Sequence, residues 1–371
     1  CNEQHYFIAL EQIEEIRDSL SSNIKVEFIL ESIGRNTAAA IIIASLHVQA
    51  NEVVFVTPCD HSIQNIENYI SCVNKAKEFA NDEYITLFGI VPNYAEVGYG
   101  YIKSKDENVE SFHEKPDLET AHKFVNSKKY LWNSGMFCFK ASTLLNSARE
   151  IAIEIYEPSV YAYSSSKTKD VIRIKEELME DIPSNSIDEA ILEHCFDLKV
   201  IKSDLNWSDL GSFCSIYKAL PKDENNNAIK YTNDEPILLN SSDNLVVAHN
   251  KKVTLVDVEN LAVIDTPDAL LVINKEKTQN VKEVVKKLIN EGSTLPVTHP
   301  LVHRPWGTYN VMEETANYKF KTIVVKPKKR LSLQKHFHRN EHWIVLSGTA
   351  TVTIGKKEKL IHSNESVYIP M

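Results

Sequence analysis

Y-A-E-V-G-Y-G-Y-I-K (94–103), F-H-E-K-P-D (112–117) and Y-L-W-N-S-G-M-F (130–137) are the segments from which the rest of this chain is read. Glycine is scarce, 10 in 371 residues, against a usual share of about 7%. Three of the ten, Gly98, Gly100 and Gly135, fall in these short segments. Glycine is required where the backbone takes positive φ or approaches a ligand closely. The same stretch supplies an acid–base pair, Glu114 and Lys115, stiffened by Pro116, and a carboxamide, Asn133, close to a glycine. Together they could line a pocket for a small, polar, anionic ligand such as a sugar phosphate. Ordinary hairpin turns are the alternative.

The totals bound the surroundings. A chain of 371 residues suggests two or three domains, and 43% apolar residues suffice for their cores. A formal charge of −10 argues against nucleic-acid or anionic-membrane partners, while leaving room for a local basic pocket. Six cysteines without C-x-x-C spacing read as reduced thiols in a cytoplasmic protein. The longest apolar run, 38–46, falls short of a membrane span.

Taken in order, 6–20 has helical apolar spacing and 26–30 reads as a strand. E-S-I-G-R-N-T precedes an all-apolar, hence buried, helix, with Asn36 or Thr37 as N-cap. Gly34 and Arg35 just before that helix suit an anion or a nucleotide base, or simply a capped core helix. The run 53–57 reads as a strand buried in a parallel sheet. It leads into P-C-D-H, so Asp60 lies at a strand's carboxyl end, where doubly wound sheets bind ligands. A carboxylate there can hold Mg²⁺ against nucleotide phosphates or cap the following helix. Strands at 84–91 and 198–201, helices at 118–125 and 143–155, and a capped S-I-D-E-A-I-L-E-H-C segment (186–195) follow. Polar residues at 221–227 suggest a linker, 237–273 a small all-β layer, 281–288 a short helix, and 292–300 a second linker.

The last 70 or so residues alternate strongly. Within 331–338, Ser332, Gln334, His336 and His338 fall on one face of an expected strand, with Leu331, Leu333 and Phe337 on the other. Inside a small β-barrel, Gln334, His336 and His338, with Glu341 just beyond, would give convergent metal ligands. Histidines on a solvated face are the alternative.

G-Y-G-Y-I, F-x-E-K-P and W-N-S-G-M-F in this order resemble the sugar-nucleotidyltransferases. They look most like the mannose-1-phosphate guanylyltransferases fused to a mannose-6-phosphate isomerase (the type II phosphomannose isomerases). G-R-N-T, P-x-D-H, W-x-D-x-G at 207–211, R-P-W-G at 304–307 and the cupin-like His-x-His extend the likeness along nearly the whole chain. The resemblance implies an α/β architecture in three parts. These are a Rossmann-like nucleotidyltransferase domain (1–222), a small β-rich domain, β-helical by analogy with the family (223–292), and a C-terminal cupin-type β-barrel, incomplete (293–371). It implies GTP, mannose 1-phosphate, GDP-mannose and mannose 6-phosphate as substrates and products, and a homo-oligomer is expected. Asp60 and Asp209 would bind Mg²⁺, Glu114 the sugar hydroxyls and Lys115 the sugar phosphate. Asn133 and the Gly98–Gly100 backbone would hold the mannose, and Arg35 and Asn36 the guanosine. Gln334, His336, His338 and Glu341 would bind the isomerase metal, a divalent ion such as Zn²⁺, Co²⁺ or Mn²⁺. Arg339 and His342 are candidates for phosphate binding or proton transfer.

Two departures stand out. The family's first strand and Gly-rich loop belong before residue 1, and its second cupin motif after Pro370. The chain, which starts at Cys1, is therefore expected to lack both ends and to be impaired in both reactions. Two rival readings stay open: a nucleotidyltransferase for another base or sugar, and a non-catalytic sugar-nucleotide-binding module.

Overall fold

Tyr130–Lys140 is the hub of the first unit. In the computed structural model, which describes residues 1–166, 171–297 and 299–371, this strand pairs antiparallel with Val53–Val56, Ile85–Ile90 and Tyr101–Lys105. Thr298, in the expected linker 292–300, lies outside the described residues. Leu198–Ser203 runs parallel to Ile85–Ile90, and Asn108–His113 and Tyr101–Lys105 complete a six-stranded mixed sheet. The described chain forms two compact units, Cys1–Pro300 and Leu301–Met371.

Why the sheet is buried follows from its residues. Ile85–Ile90 is buried at every position, as a central strand without alternation should be. One face packs on the helix Asn36–His47, whose Ala38, Ala39, Ile42 and Ile43 are essentially inaccessible. Truncating Ile42 to alanine there should cost about 2–5 kcal/mol. Ile66–Asn81 and Leu118–Ser127 contribute Cys72, Ala76, Ala80 and Ala121 to a second apolar cluster, with Phe88, Tyr101 and Trp132.

The structure corrects two local expectations. Val53–Val56 is half-buried, and its ladder is with an antiparallel neighbour, so it is not the parallel central strand that its apolar run suggested. Continuous apolarity reports burial of side chains and says nothing about strand direction. The helix expected at 143–155 is two helices, Ala141–Ile151 and Ile153–Ser165, broken at Ala152, which leaves helical geometry (φ −131°, ψ 53°).

Beyond the sheet domain the chain coils. Ala228–Tyr231, Leu245–Ala248 and Leu261–Asp265 stack in parallel, and Ile237–Leu239 stacks likewise on Thr254–Val256. Every pair is offset by 17 residues. Corners repeat at the same interval. Asn226, Asp243 and Asn260 all have positive φ (62°, 57° and 56°), as do Asn240 and Asp257 (46° and 52°); Asn and Asp tolerate this region better than other non-glycine residues. Inside, Asn244 donates its backbone N–H and its Nδ2 to Asn227 Oδ1 (3.0 and 3.1 Å). Leu261 N–H donates in turn to Asn244 Oδ1 (2.9 Å). These are the stacked turns of a β-helix.

The second unit is all β. Leu301–Arg304, Gly307–Glu314 and Lys319–Val325 form a meander whose first turn is the R-P-W-G segment. Glu341–Ile344 pairs with Ser366–Ile369, and Thr349–Ile354 with Lys357–His362. The strand expected at 331–338 is not formed: among the described residues this stretch has no ladder partner. Leu333 and Phe337, on its expected apolar face, are 85% and 69% exposed. Alternation needs an adjacent strand and a covered face before it specifies a sheet.

Candidate functional site

Asn133 is the centre of the sugar-side cluster. It lies where Tyr130–Lys140 slips in register against Ile85–Ile90, just before Gly135, which adopts φ 72°. A bulge of this kind re-aims a side chain. The carboxamide is fixed at both ends: Oδ1 accepts from Gly135 N–H (3.2 Å) and Nδ2 donates to Asp188 Oδ1 (2.8 Å). Its own N–H donates to Gly100 O (2.8 Å), joining it to the glycine stretch.

Glu114 lies over Gly100. A Cβ at Gly100 would stand 2.7 Å from Glu114 Oε2 and 3.0 Å from the Phe112 ring, so any larger residue must push this carboxylate aside. Lys115, at φ 40°, donates to Glu114 Oε1 (2.5 Å) while staying 60% exposed; the Glu114 side chain is 10% exposed. Glu114 N–H donates to Glu193 Oε1 (3.0 Å). The hydrogen bond from Lys115 to Glu114 raises the ammonium's pKa, and Asp188 and Glu189 add to it. Burial, then the nearby Glu114 charge, pushes the Asp188 carboxyl up to about 6. Gly98 N–H donates to Glu96 Oε1 (3.0 Å).

A second cluster joins the two carboxylates predicted to bind metal. Ser62 and Ser208 exchange backbone hydrogen bonds (2.8 and 3.0 Å), so the P-C-D-H and W-S-D-L-G segments run side by side. His61 ties the first to the second: Nε2 is 3.9 Å from Asp60 Oδ1, and Nδ1 accepts from Trp207 Nε1 (3.2 Å). Burial lowers its pKa, opposed by the charges of both Asp60 and Asp209. Asp60 is 78% exposed. Asp209 Oδ1 is buried without a hydrogen-bond partner among the described residues. A buried, unpartnered carboxylate oxygen of this kind, on a segment paired with the one that carries Asp60, fits a hard divalent cation. Tyr94, Trp132, Tyr99, Trp207 and His61 form an edge-to-face chain of rings, centroids 4.8–5.4 Å apart, that links this cluster to the glycine stretch. Burial raises Tyr99, aided by the Asp209 carboxylate, and pushes Tyr94 up to about 12.

Arg35 is engaged elsewhere. Its Nε and terminal nitrogen donate to Met179 O and Glu180 O (2.7 and 2.9 Å), the carbonyls ending the helix Glu176–Glu180. Asn36 takes φ 62°, and its Oδ1 accepts from Thr37 N–H (2.8 Å).

In the C-terminal unit, Glu341 holds three neighbours. Oε1 is 3.0 Å from His336 Nε2 and 3.2 Å from Arg339 Nε, and Oε2 accepts from Trp343 Nε1 (2.9 Å). Arg339 also reaches His336 Nε2 (3.2 Å). Gln334 and His338 are exposed. Among the described residues no group of three His, Cys, Asp or Glu side chains converges as a metal site. Two donors, His336 and Glu341, converge; the predicted set of four does not.

Sequence reasoning missed His61, Tyr99, Asp188 and Glu193. Only Asp188 carried a signal, an acidic residue in S-I-D-E that reads first as helix capping.

Comparisons with known proteins agree with this geometry. Residues 1–226 match the nucleotidyl transferase family, 234–288 a β-helix domain of mannose-phosphate isomerases and related proteins, and 291–371 the mannose-6-phosphate isomerase C-terminal family. A mannose-1-phosphate guanylyltransferase of Salmonella typhimurium, RfbM, is 40% identical over all of this chain and 78% of its own length. The alginate biosynthesis protein AlgA of Pseudomonas aeruginosa is 38% identical over the same shares. A crystal structure of mannose-6-phosphate isomerase from Helicobacter pylori shares 33% identity (TM-score 0.53; 56% of this chain and 82% of that one). A Thermus thermophilus structure described as a mannose-1-phosphate geranyltransferase shares 25% (TM-score 0.63; 75% and 82%). No described helix is long and apolar enough to cross a membrane. The β-helix, the paired carboxylates of the sheet domain and these matches along the whole length lead to one assignment: the chain belongs to the mannose-1-phosphate guanylyltransferases that carry a C-terminal mannose-6-phosphate isomerase domain.

Proposed function

We propose that the first unit transfers a guanylyl group: a phosphate oxygen of mannose 1-phosphate attacks the α-phosphate of GTP, giving GDP-mannose and pyrophosphate. The observation that carries this reading is that the segments bearing Asp60 and Asp209 are joined through Ser62 and Ser208, both charges act on His61, and Asp209 Oδ1 is buried and unpartnered among the described residues. Bound there, Mg²⁺ supplies charge neutralisation for the phosphates. The chain's own contribution is positioning and electrostatics. Lys115, exposed beside Glu114, offers its ammonium to the sugar phosphate. Glu114 accepts from sugar hydroxyls, and the Asn133 carboxamide and the Gly98–Gly100 backbone line the hexose. Trp207 donates to Nδ1 of His61 and so orients the ring beside Asp60. Arg35, which donates to the Met179 and Glu180 carbonyls, and Asn36 would help place the guanosine.

In the second unit the same reading assigns mannose-6-phosphate isomerisation, with His336 and Glu341 as metal donors and Arg339 beside them.

Calorimetry of GDP-mannose, UDP-glucose and dTDP-glucose binding, with and without Mg²⁺, tests the transferase reading. Selective binding of GDP-mannose is expected. Preference for another sugar nucleotide, or binding of none, overturns it.

A further inference from the structure

We infer that Asp188 is a positioning residue for sugar recognition, fixing the Asn133 carboxamide in one orientation against Glu114 and Lys115. This deepens the proposed transferase reading and rests on it.

A carboxamide's oxygen and nitrogen ends are nearly isosteric, so a surrounding of mixed donors and acceptors leaves its orientation undecided. Here both ends are decided. Gly135 N–H can only donate, so it selects Oδ1; an ionised carboxylate can only accept, so Asp188 selects Nδ2. An asparagine at 188 would keep the shape and lose that selection. Asp188 is also the costly choice, because its carboxylate is partly buried beside Glu114, with Lys115 as the compensating cation. Carboxylates perturbed by burial and a like charge cluster at functional sites.

The turn that carries Asp188 is anchored from a distant part of the sequence. Ile187 N–H donates to Thr37 Oγ1 (2.9 Å), and Ala38 N–H donates to Asn185 O (3.2 Å). The start of the helix Asn36–His47 therefore holds the 185–188 turn, and that turn holds Asn133. The oriented amide presents its nitrogen end to the Asp188 side and its oxygen end to the Gly135 turn. That fixed polarity is suited to telling apart hexose hydroxyls that differ only in direction.

The test is a double-mutant cycle by calorimetry on the full chain, with GDP-mannose, GDP-glucose and GDP as ligands. In Asp188→Asn, GDP-mannose should bind about tenfold more weakly, the loss expected for one hydrogen bond to a charged group. GDP should stay within about twofold, and the preference for GDP-mannose over GDP-glucose should narrow. With Asn133→Ala as background, adding Asp188→Asn should weaken GDP-mannose no further. Equal weakening of GDP and GDP-mannose, no change in either, or additive effects of the two substitutions would each overturn the inference. Asp188→Ala, compared by thermal melting, serves if Asp188→Asn fails to fold, with the same ligand pattern expected. Wild-type chain that binds no GDP-mannose removes the transferase reading itself. Wild-type binding with an indifferent Asp188→Asn removes the positioning role alone.

Discussion

Around Asn133 the polar groups are fixed by partners far away in sequence, whereas around Glu341 the contacts stay within a few residues. Asn133 meets Asp188 across 55 residues, Glu114 meets Glu193 across 79, and Trp207 meets His61 across 146. In the C-terminal unit, Arg339 and Trp343 each reach Glu341 across two residues. The first arrangement is set by the folded sheet and pre-organised before any ligand arrives. The second depends on a short, largely exposed segment, and exposed pairs such as Arg339–Glu341 contribute only about 0–1 kcal/mol. One site is a product of tertiary structure; the other is a local cluster that a bound metal would have to complete.

The strongest way to break that comparison is Asp209→Asn. It should cut GDP-mannose formation about 10³-fold, on the scale of losing a preorganised charge-stabilising group, and leave isomerase activity intact. Loss of both activities would deny the two units separate sites. His336→Ala is the counterpart. It should remove bound metal and isomerase activity while sparing guanylyl transfer, and unchanged metal content by elemental analysis would dismiss His336 as a ligand. A smaller effect is expected from Gly100→Ala, whose Cβ would meet Glu114 Oε2 and Phe112. Overpacking of this kind costs about 1–3 kcal/mol, and the displaced Glu114 should raise KM for mannose 1-phosphate more than KM for GTP. An unshifted denaturation midpoint would mean that the loop yields freely.

The smallest effect is one of pH. The folded-state pKa of Asp188, about 6, stands above the ordinary 3.8, so ionisation costs stability. That stability is fully present below about pH 4 and lost as pH rises through 6. The two-unit shift corresponds to ~3 kcal/mol at neutral pH as an upper bound. Asp188→Asn should therefore stabilise the chain by about 1–2 kcal/mol at pH 7.5, with the gain fading as pH falls from about 6 and gone below about pH 4. A pH-independent difference in urea midpoints would contradict it.

Much of the transferase fold was legible because strands such as Ile85–Ile90 and the helix Asn36–His47 declare burial through their own composition. Direction was not legible: Val53–Val56 has the composition of a parallel strand and an antiparallel partner. The stretch 331–338 alternates well, yet alternation supplies no neighbouring strand. Asp188 and Glu193 escaped notice because their importance comes from Asn133 and Glu114, dozens of residues away. The β-helix was suggested by analogy only, although Asn226, Asp243 and Asn260, each followed by its inward or strand residue, spell out the 17-residue interval.

That interval restricts how this part of the chain can change length. A single-residue deletion between Asn227 and Asn244 would pull one asparagine out of line and break the stacked amides and corners together. Insertion of a whole 17-residue turn would keep every register and add one layer, about 4.8 Å of height. Related chains should therefore differ here in whole layers, and single-residue insertions should collect at the corners, where they leave the stacked strands undisturbed.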